Sequence, residues 1–233
     1  EAERLYNKSG VMYYEMGNYR QARNYFEKAI LLTDPADQFL VTNYKINIAS
    51  LLVKLDSLDA AESRYQQLLP AEGFQNEIYH NLAIISLKKY QYSQAITYLR
   101  KITYTNNKKS IDLFYNLGAA FSALNENDSA EFYLQRAIAE NLKWNGKRKN
   151  IQYGLILKYQ ADELARQQLF REATNQYQAA VLQFVTGYNE TDANSNPEEF
   201  QSAFSYINLF NTLVAKAIAF ENEYQQEKNT KLL

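Results

Sequence analysis

The sequence predicts an all-α fold, an α-solenoid of about five stacked helical hairpins followed by a long C-terminal helix. Two observations predict it. The 233 residues are 46% apolar but include only 7 glycines and 3 prolines, too few for the corners of a β-sandwich or barrel. A small residue followed four positions later by an aromatic residue or leucine also recurs five times, and a period near 34 residues is typical of stacked hairpins.

The recurring pair anchors the second helix of each hairpin. Successive anchoring alanines are 39, 34, 35 and 43 residues apart, so two intervals match the period and two contain insertions. We expect a longer first helix, starting near Asp37, to absorb the 39-residue interval. The five pairs are Ala22 with Phe26, Ala61 with Tyr65, Ala95 with Leu99, Ala130 with Leu134, and Ala173 with Tyr177.

A second small residue precedes each anchoring alanine by twelve positions, in the first helix of the hairpin. A large side chain there would push the two helices apart, so we expect close helix contact at these positions. Bulky residues lie on the same helical face in most copies, and Lys45 and Ser86 are the main departures. The small residues are Gly10, Ala49, Ala83, Gly118 and Ala161.

Together these positions resemble the tetratricopeptide repeat (TPR), and the fourth copy is the clearest. It contains Phe114, Leu117, Gly118 and Phe121, followed by Ala130, Leu134 and Ala137. The resemblance implies a right-handed α-solenoid that binds other proteins, with a concave face lined by the first helix of each repeat.

The repeats divide the chain into seven segments. Leu213, Ala217 and Phe220 of the last segment resemble the first helix of a sixth repeat, and Asn196 with Pro197 predicts a helix start. This half repeat and the absence of an initiating methionine indicate an excised piece of a longer protein. The expected segments are 1–36, 37–73, 74–109, 110–144 and 145–187 for repeats one to five, 188–196 for a polar loop, and 197–233 for the C-terminal helix.

The residue inventory argues against catalysis. There is no cysteine, so thiolate nucleophiles and thiolate metal sites are excluded, and any Ser/His/Asp triad would need the single histidine, His80. We therefore expect neither an enzyme nor a cofactor or metal. The net charge is −1 with dispersed basic residues, and no run of 18 apolar residues occurs, which predicts no nucleic-acid binding and no membrane insertion. We expect a soluble protein of the bacterial cytoplasm or periplasm.

The candidate binding residues lie on the first helices. Asn47, Asn81 and Asn116 occupy the same repeat position, and the TPR resemblance implies that their amides hold the backbone of an extended peptide. The alternative is that asparagine is simply common at this position of the family. His80 and Tyr115 precede two of them and are expected to contact the side chains of a peptide or protein partner. The remaining candidate is Lys8, at the same position of repeat one.

A more specific resemblance concerns the last third of the chain. Residues 170–188, with Val185, Thr186, Gly187 and Tyr188, and the polar residues 189–197 resemble a segment of bacterial multidomain proteins in which TPR arrays precede a CHAT domain, a caspase-like peptidase. This implies the recognition or regulatory arm of a larger bacterial protein. The competing hypothesis is a structural module, in which exposed terminal repeats pack against a neighbouring domain or a sister copy to form a homo-oligomer.

Overall fold

The structure, a computed structural model, describes residues 1–104, 107–200 and 202–230, with side chains to residue 228. The chain forms two compact units, an N-terminal unit (Glu1–Tyr104) and a C-terminal unit (Thr105–Leu233). Each unit is a stack of helical hairpins, so the all-α prediction is confirmed. Within the described part of the chain, no helix is both long enough and apolar enough to span a bilayer.

The helices alternate as first and second members of successive hairpins, and the members of each hairpin pack together. The N-terminal unit contains α1 (Ala2–Glu15), α2 (Tyr19–Leu32), α3 (Gln38–Lys54), α4 (Leu58–Leu68), α5 (Gln75–Lys88) and α6 (Tyr92–Leu99). The C-terminal unit contains α7 (Ser110–Ala123), α8 (Asn127–Asn145), α9 (Ile151–Arg166), α10 (Phe170–Phe184) and α11 (Tyr206–Thr230).

The helices of each hairpin approach closely at the predicted small residues. All five of these residues, and all five anchoring alanines, are buried. A Cβ atom built on Gly10 would lie 2.5 Å from a ring carbon of Phe26, and one on Gly118 would lie 2.8 Å from Cγ of Leu134. No real Cβ atom tolerates such distances, so the close helix contact inferred from the sequence is confirmed.

Every hairpin turn uses the same backbone conformation. The residue seven positions after the small residue adopts a left-handed φ, and the next residue donates its N–H to a carbonyl five positions back, as Gln91 does to Ser86 at 2.8 Å. This is a Schellman motif, which normally places glycine at the left-handed position. Only the first hairpin does so: the five residues are Gly17, Asp56, Tyr90, Asn125 and Gln168, with φ between 57° and 75°.

The extra length of the second repeat lies in its first helix, as predicted. Helix α3 has 17 residues, and the side chain of Asp37 caps it by accepting a hydrogen bond from the backbone N–H of Leu40 at 3.0 Å. Helix α8 also runs longer, through Asn145, and Trp144 in its last turn donates its indole N–H to Glu140 at 3.1 Å. The second insertion is therefore largely helical.

The predicted start of the C-terminal helix at Pro197 is wrong, because α11 begins at Tyr206. Residues just before it pair with the end of the fifth repeat instead. The N–H of Thr186 donates to the carbonyl of Ser202 at 3.2 Å, and the hydroxyl of Ser202 donates to the carbonyl of Thr186 at 3.0 Å. These long-range bonds satisfy backbone groups that a helix would otherwise use, so tertiary pairing overrides the local helix signal.

Helix α11 nevertheless has the register of a first helix. Ala219, two residues after Ala217, packs against Ala173 and Tyr177 of α10. Leu51, at the equivalent position of α3, packs in the same way against the second helix α2. Helix α11 therefore occupies, against the hairpin α9–α10, the place that the first helix of a further repeat would occupy.

Two lysines fix the segment that follows α10. Lys149 Nζ donates to the carbonyl of Val185 at 3.0 Å, and Lys216 Nζ of α11 donates to Gln178 Oε1 at 2.7 Å and to the carbonyl of Ser195 at 2.8 Å. The Lys216 side chain is only 2% exposed, and burial lowers its pKa to about 8. This buried ammonium has lost its hydration and donates to two neutral oxygens among the described residues, so its charge opposes folding.

The left-handed turns predict opposite effects of two substitutions. Replacing Gln168, at φ 63°, with glycine should stabilise the fold by about 0.5–1 kcal/mol, because glycine adopts this conformation without strain. Replacing Gly17 with alanine should destabilise it by a similar amount. Urea unfolding measures both. The matched control is Gln167→Gly at φ −79°, which should destabilise the protein; a Gln168→Gly variant no more stable than wild type contradicts the prediction.

The lowered pKa of Lys216 predicts that the free energy of unfolding rises between about pH 8 and pH 10.5. Its pKa is about 8 in the fold and 10.5 in the unfolded chain, so between these values the unfolded chain holds more protons. Raising the pH through this window therefore stabilises the fold, by at most about 3 kcal/mol. In urea unfolding at pH 7 to 10.5, the free energy of unfolding of wild type should rise across this window relative to that of Lys216→Met, because the other titrating groups are common to both proteins. Parallel profiles for the two proteins contradict the prediction.

Candidate functional site

The first helices form a continuous face within each unit. In the N-terminal unit α1 contacts α3 and α3 contacts α5, and in the C-terminal unit α7 contacts α9 and α9 contacts α11. We call these surfaces the first-helix faces. The candidate residues lie on both: Lys8, Asn47, His80 and Asn81 in the N-terminal unit, and Tyr115 and Asn116 in the C-terminal unit.

The two asparagines of the N-terminal unit are half-buried and use their amide nitrogens internally. Asn47 Nδ2 on α3 donates to Asn7 Oδ1 on α1 at 2.8 Å, and Asn81 Nδ2 donates to the carbonyl of Glu77 in its own helix at 2.9 Å. Neither Oδ1 atom of these two residues accepts a hydrogen bond from the residues that the structure describes. Each can therefore accept a backbone N–H from a bound segment.

The other two candidates of this unit differ in exposure. His80 is half-buried beside Asn81 on α5, whereas Lys8 is exposed on α1.

Asn47 is hydrogen-bonded to Asn7, a residue outside the predicted set, and this bond joins two adjacent first helices. Asn7 lies one position before Lys8, at the repeat position that His80 and Tyr115 occupy in their own helices. The sequence could have identified it by this shared position.

In the C-terminal unit, Tyr115 packs edge-to-face on Tyr159 with ring centroids 5.9 Å apart. The hydroxyl of Tyr159 donates to the carbonyl of Ala119 at 3.1 Å, which ties α9 to α7. Burial raises the pKa of Tyr115 to about 12, so this phenol stays protonated. Asn116, the third candidate amide, is half-buried on the same helix. The pair presents an aromatic surface beside an amide.

The set of candidate binding residues does not include a polar cluster on α9. Lys158 Nζ lies 2.7 Å from Asp162, and the hydroxyl of Tyr177 on α10 donates to the same carboxylate at 2.7 Å. The signal was present, because Asp162 follows the small residue Ala161 by one position and so faces the ligand side in the repeat pattern. The first-helix face of this unit therefore includes an ion pair as well as amide and aromatic side chains.

The described residues contain no group of three or more histidine, aspartate or glutamate side chains placed to hold a metal ion. His80 is the single imidazole of the chain. The arrangement suits hydrogen bonding and aromatic packing with a ligand.

Two regions of the chain match models of the tetratricopeptide repeat, residues 3–34 and residues 111–143. They coincide with the hairpins α1–α2 and α7–α8, which are the first and fourth predicted copies. The chain thus contains TPR repeats, as inferred from the residue pattern. A search of curated proteins finds no match.

Solved structures of similar fold cover most of the chain. PilF of Pseudomonas aeruginosa matches with a TM-score of 0.62 at 17% identity, over 98% of this chain and 91% of PilF. The Rap conjugation gene regulator of plasmid pLS20, solved with the Phr* peptide, matches with a TM-score of 0.61 at 18% identity, over 100% of this chain and 65% of the regulator. The TPR-like repeats of a Podospora anserina putative kinesin light chain match with a TM-score of 0.59 at 12% identity, over 77% and 93%. These likenesses concern the fold.

Proposed function

We propose that the chain is a non-catalytic interaction scaffold that binds an extended peptide or protein segment in the groove lined by the first helices of its repeats. The observation that carries this proposal is the pair of half-buried amides, Asn47 and Asn81, on a continuous first-helix face. Each keeps its oxygen available for a ligand N–H among the described residues. The Rap regulator, which has a similar fold, is solved in complex with a peptide, and this supports a ligand of that class.

The proposal assigns three roles. Asn47 and Asn81 in the N-terminal unit, and Asn116 in the C-terminal unit, each bind main-chain groups of a ligand at their own first-helix face, because an amide can accept one hydrogen bond and donate another. Tyr115 and His80 contact ligand side chains, and Lys8 offers an exposed positive charge near the N-terminus of the chain. The binding is sequence-tolerant where it depends on main-chain bonds and selective where it depends on the aromatic residues.

A peptide selected from a random library on the immobilised chain tests this assignment. Asn81→Ala should weaken binding of the labelled peptide about five- to tenfold, because a lost hydrogen bond corresponds to roughly 1–1.5 kcal/mol. Asn81 is preferred because its only described bond is within its own helix. Fluorescence anisotropy measures the affinity, and Asn116→Ala tests the C-terminal unit in the same way.

The control for this titration is Gln66→Ala, which removes an exposed amide from the second helix α4. It should leave the affinity unchanged. Wild-type affinity in both Asn81→Ala and Asn116→Ala, with unchanged circular dichroism and melting temperature, rules out the assigned role of the asparagines.

We propose further that the scaffold is the recognition or regulatory arm of a larger bacterial protein. The support is the resemblance of residues 170–197 to the segment before CHAT domains. The parent reading frame decides the matter: a caspase-like domain downstream favours this role, whereas a complete sixth repeat followed by a stop codon favours a free-standing adaptor.

A second candidate function is self-association through α11. Its inner face packs on α10, but the opposite face exposes a row of apolar side chains spaced three and four residues apart. Ile207 and Phe210 are 66% and 63% exposed, and exposed apolar rows of this kind mark interaction surfaces. The row consists of Ile207, Phe210, Val214 and Ile218.

Size-exclusion chromatography with light scattering tests self-association. If α11 pairs with a sister copy, the wild-type mass should rise with concentration, and Phe210→Glu should shift the midpoint to at least tenfold higher concentration by burying an unpaired charge. Gln225→Glu, on an exposed and polar part of the same helix, is the control. A wild-type mass equal to one chain at every concentration contradicts this function.

A further inference from the structure

An apolar cavity of about 410 Å³ opens in the N-terminal unit between α2, α3 and α4. This volume lies within the range of about 300–1,000 Å³ that ligand pockets occupy. Its wall is formed by aliphatic side chains of α3 and its rim by arginines of the two second helices. The aliphatic residues are Ile48, Leu51, Leu52 and Leu55, and the arginines are Arg20, Arg23 and Arg64.

The rim carries positive charge that the fold does not neutralise. Arg23 pairs with Glu27 of its own helix at 2.7 Å. In the part of the chain that the structure describes, Arg20 and Arg64 have neither an ion pair nor a hydrogen bond, and no carboxylate lines the cavity. A guanidinium presents several N–H donors in one plane and binds carboxylates strongly. The cavity thus combines an apolar wall with two unpaired guanidinium groups.

At the next junction between hairpins, where α5 packs on α4, ion pairs occupy the equivalent positions. Six positions after the small residue of α5 lies Lys89, the equivalent of Leu55. Its ammonium lies 2.7 Å from Asp59 and 2.8 Å from Glu62 on α4. Asp59 and Glu62 occupy the positions that Arg20 and Arg23 occupy on α2. The second junction is therefore closed by ion pairs.

The junction between α10 and α11 is bridged by an ion pair with the charges reversed. Arg171, at the position of Arg20, pairs with Glu223 at 2.9 Å, and Glu223 is at the position of Leu55. At the first junction a leucine stands where this carboxylate would be. Arg20 can therefore be paired only by a carboxylate from outside the described part of the chain.

The junction between α8 and α9 shows that the cavity itself is a product of the fold. A cavity of about 540 Å³ lies at the same repeat positions, but it is lined by acidic and amide side chains. Asp128 and Glu131 replace Arg20 and Arg23, and Gln167 replaces Leu55. The shape thus recurs while the chemistry differs, so the basic and apolar lining of the first cavity is specific to its sequence.

We propose that the first cavity binds an acidic amphipathic segment of another protein. One bulky apolar side chain of the segment packs against the leucines of α3, and flanking carboxylates pair with Arg20 and Arg64. Charge complementarity selects this occupant, because the rim is cationic and unpaired. This site is made by α2 and α4 and by the flank of α3 that faces them, and none of the first-helix candidate residues lines it.

A synthetic probe tests the site. The probe is a fluorescein-labelled twelve-residue peptide with one Leu–Phe pair flanked on each side by two glutamates, titrated by fluorescence anisotropy. Replacing its glutamates with glutamines should weaken binding at least tenfold, and replacing the Leu–Phe pair with two serines should abolish it. Raised salt should weaken binding of the acidic peptide, because its carboxylates pair with exposed arginines. Equal affinity of the glutamate and glutamine peptides overturns the proposal.

Variants of the protein locate the probe. Arg20→Ala and Arg64→Ala should each weaken binding about three- to tenfold, and Leu55→Glu should abolish it by supplying an internal carboxylate to Arg20. Leu55 is more than half exposed, so this change leaves the fold intact. The matched control, Gln167→Glu, makes the equivalent change in the C-terminal unit and should have no effect.

The same measurements distinguish other occupants and the other proposed site. Asn81→Ala should bind the acidic probe with wild-type affinity, since it belongs to the first-helix face. Unchanged binding in Arg20→Ala and Arg64→Ala overturns the proposal. Concentration-dependent dimerisation that Arg64→Glu removes also overturns it, because the occupant is then a second copy of this chain.

Discussion

The close contact between the two helices of each hairpin is the constraint on which the structure depends. Where Gly10 faces Phe26 and Gly118 faces Leu134, there is no room for even one more carbon atom. The contact fixes the distance between the helices, and the Schellman turn fixes the point where the first ends. Because both devices recur at the same positions, each hairpin presents the same faces to its neighbours, and stacking follows.

The periodic part of the fold could be predicted because its signal is local. Small and bulky residues at fixed spacing determine which faces are buried, and Asp37 caps the longer helix of repeat two as its side chain suggests. The start of α11 could not be predicted, since Thr186 pairs with Ser202 across 16 residues and removes the preceding segment from the helix. Left-handed turns at Tyr90 and Gln168 were equally hidden, because neither residue type favours that conformation.

The candidate site, like the fold, could be predicted from the sequence only in part. Repeat position alone places Asn47, Asn81 and Asn116 on first helices, and their role remains a prediction. The bond from Asn47 to Asn7 depends on how α1 and α3 pack, which the period does not specify. The basic cavity was missed for another reason: its residues do not belong to the repeat signature, so a search for recurring residues passes over them. Comparing the residues that differ between copies would have found Leu55, whose equivalents include Lys89, Gln167 and Glu223.

Buried positions and positions at the junctions between hairpins differ in how much they can vary from repeat to repeat. Buried positions must be nearly the same in every repeat, because a change there would alter the spacing of the helices. Positions at the junctions are free to vary, and the structure uses them in three ways. Lys89 and Arg171 form ion pairs across their junctions, the α8–α9 junction is polar, and Leu55 leaves arginines unpaired. Exposed ion pairs contribute little to stability, about 0–1 kcal/mol each, so the first junction loses little by lacking one. A scaffold of this design can therefore acquire a binding site at a junction without a measurable loss of fold stability, and the residues that give it specificity are those in which its repeats disagree.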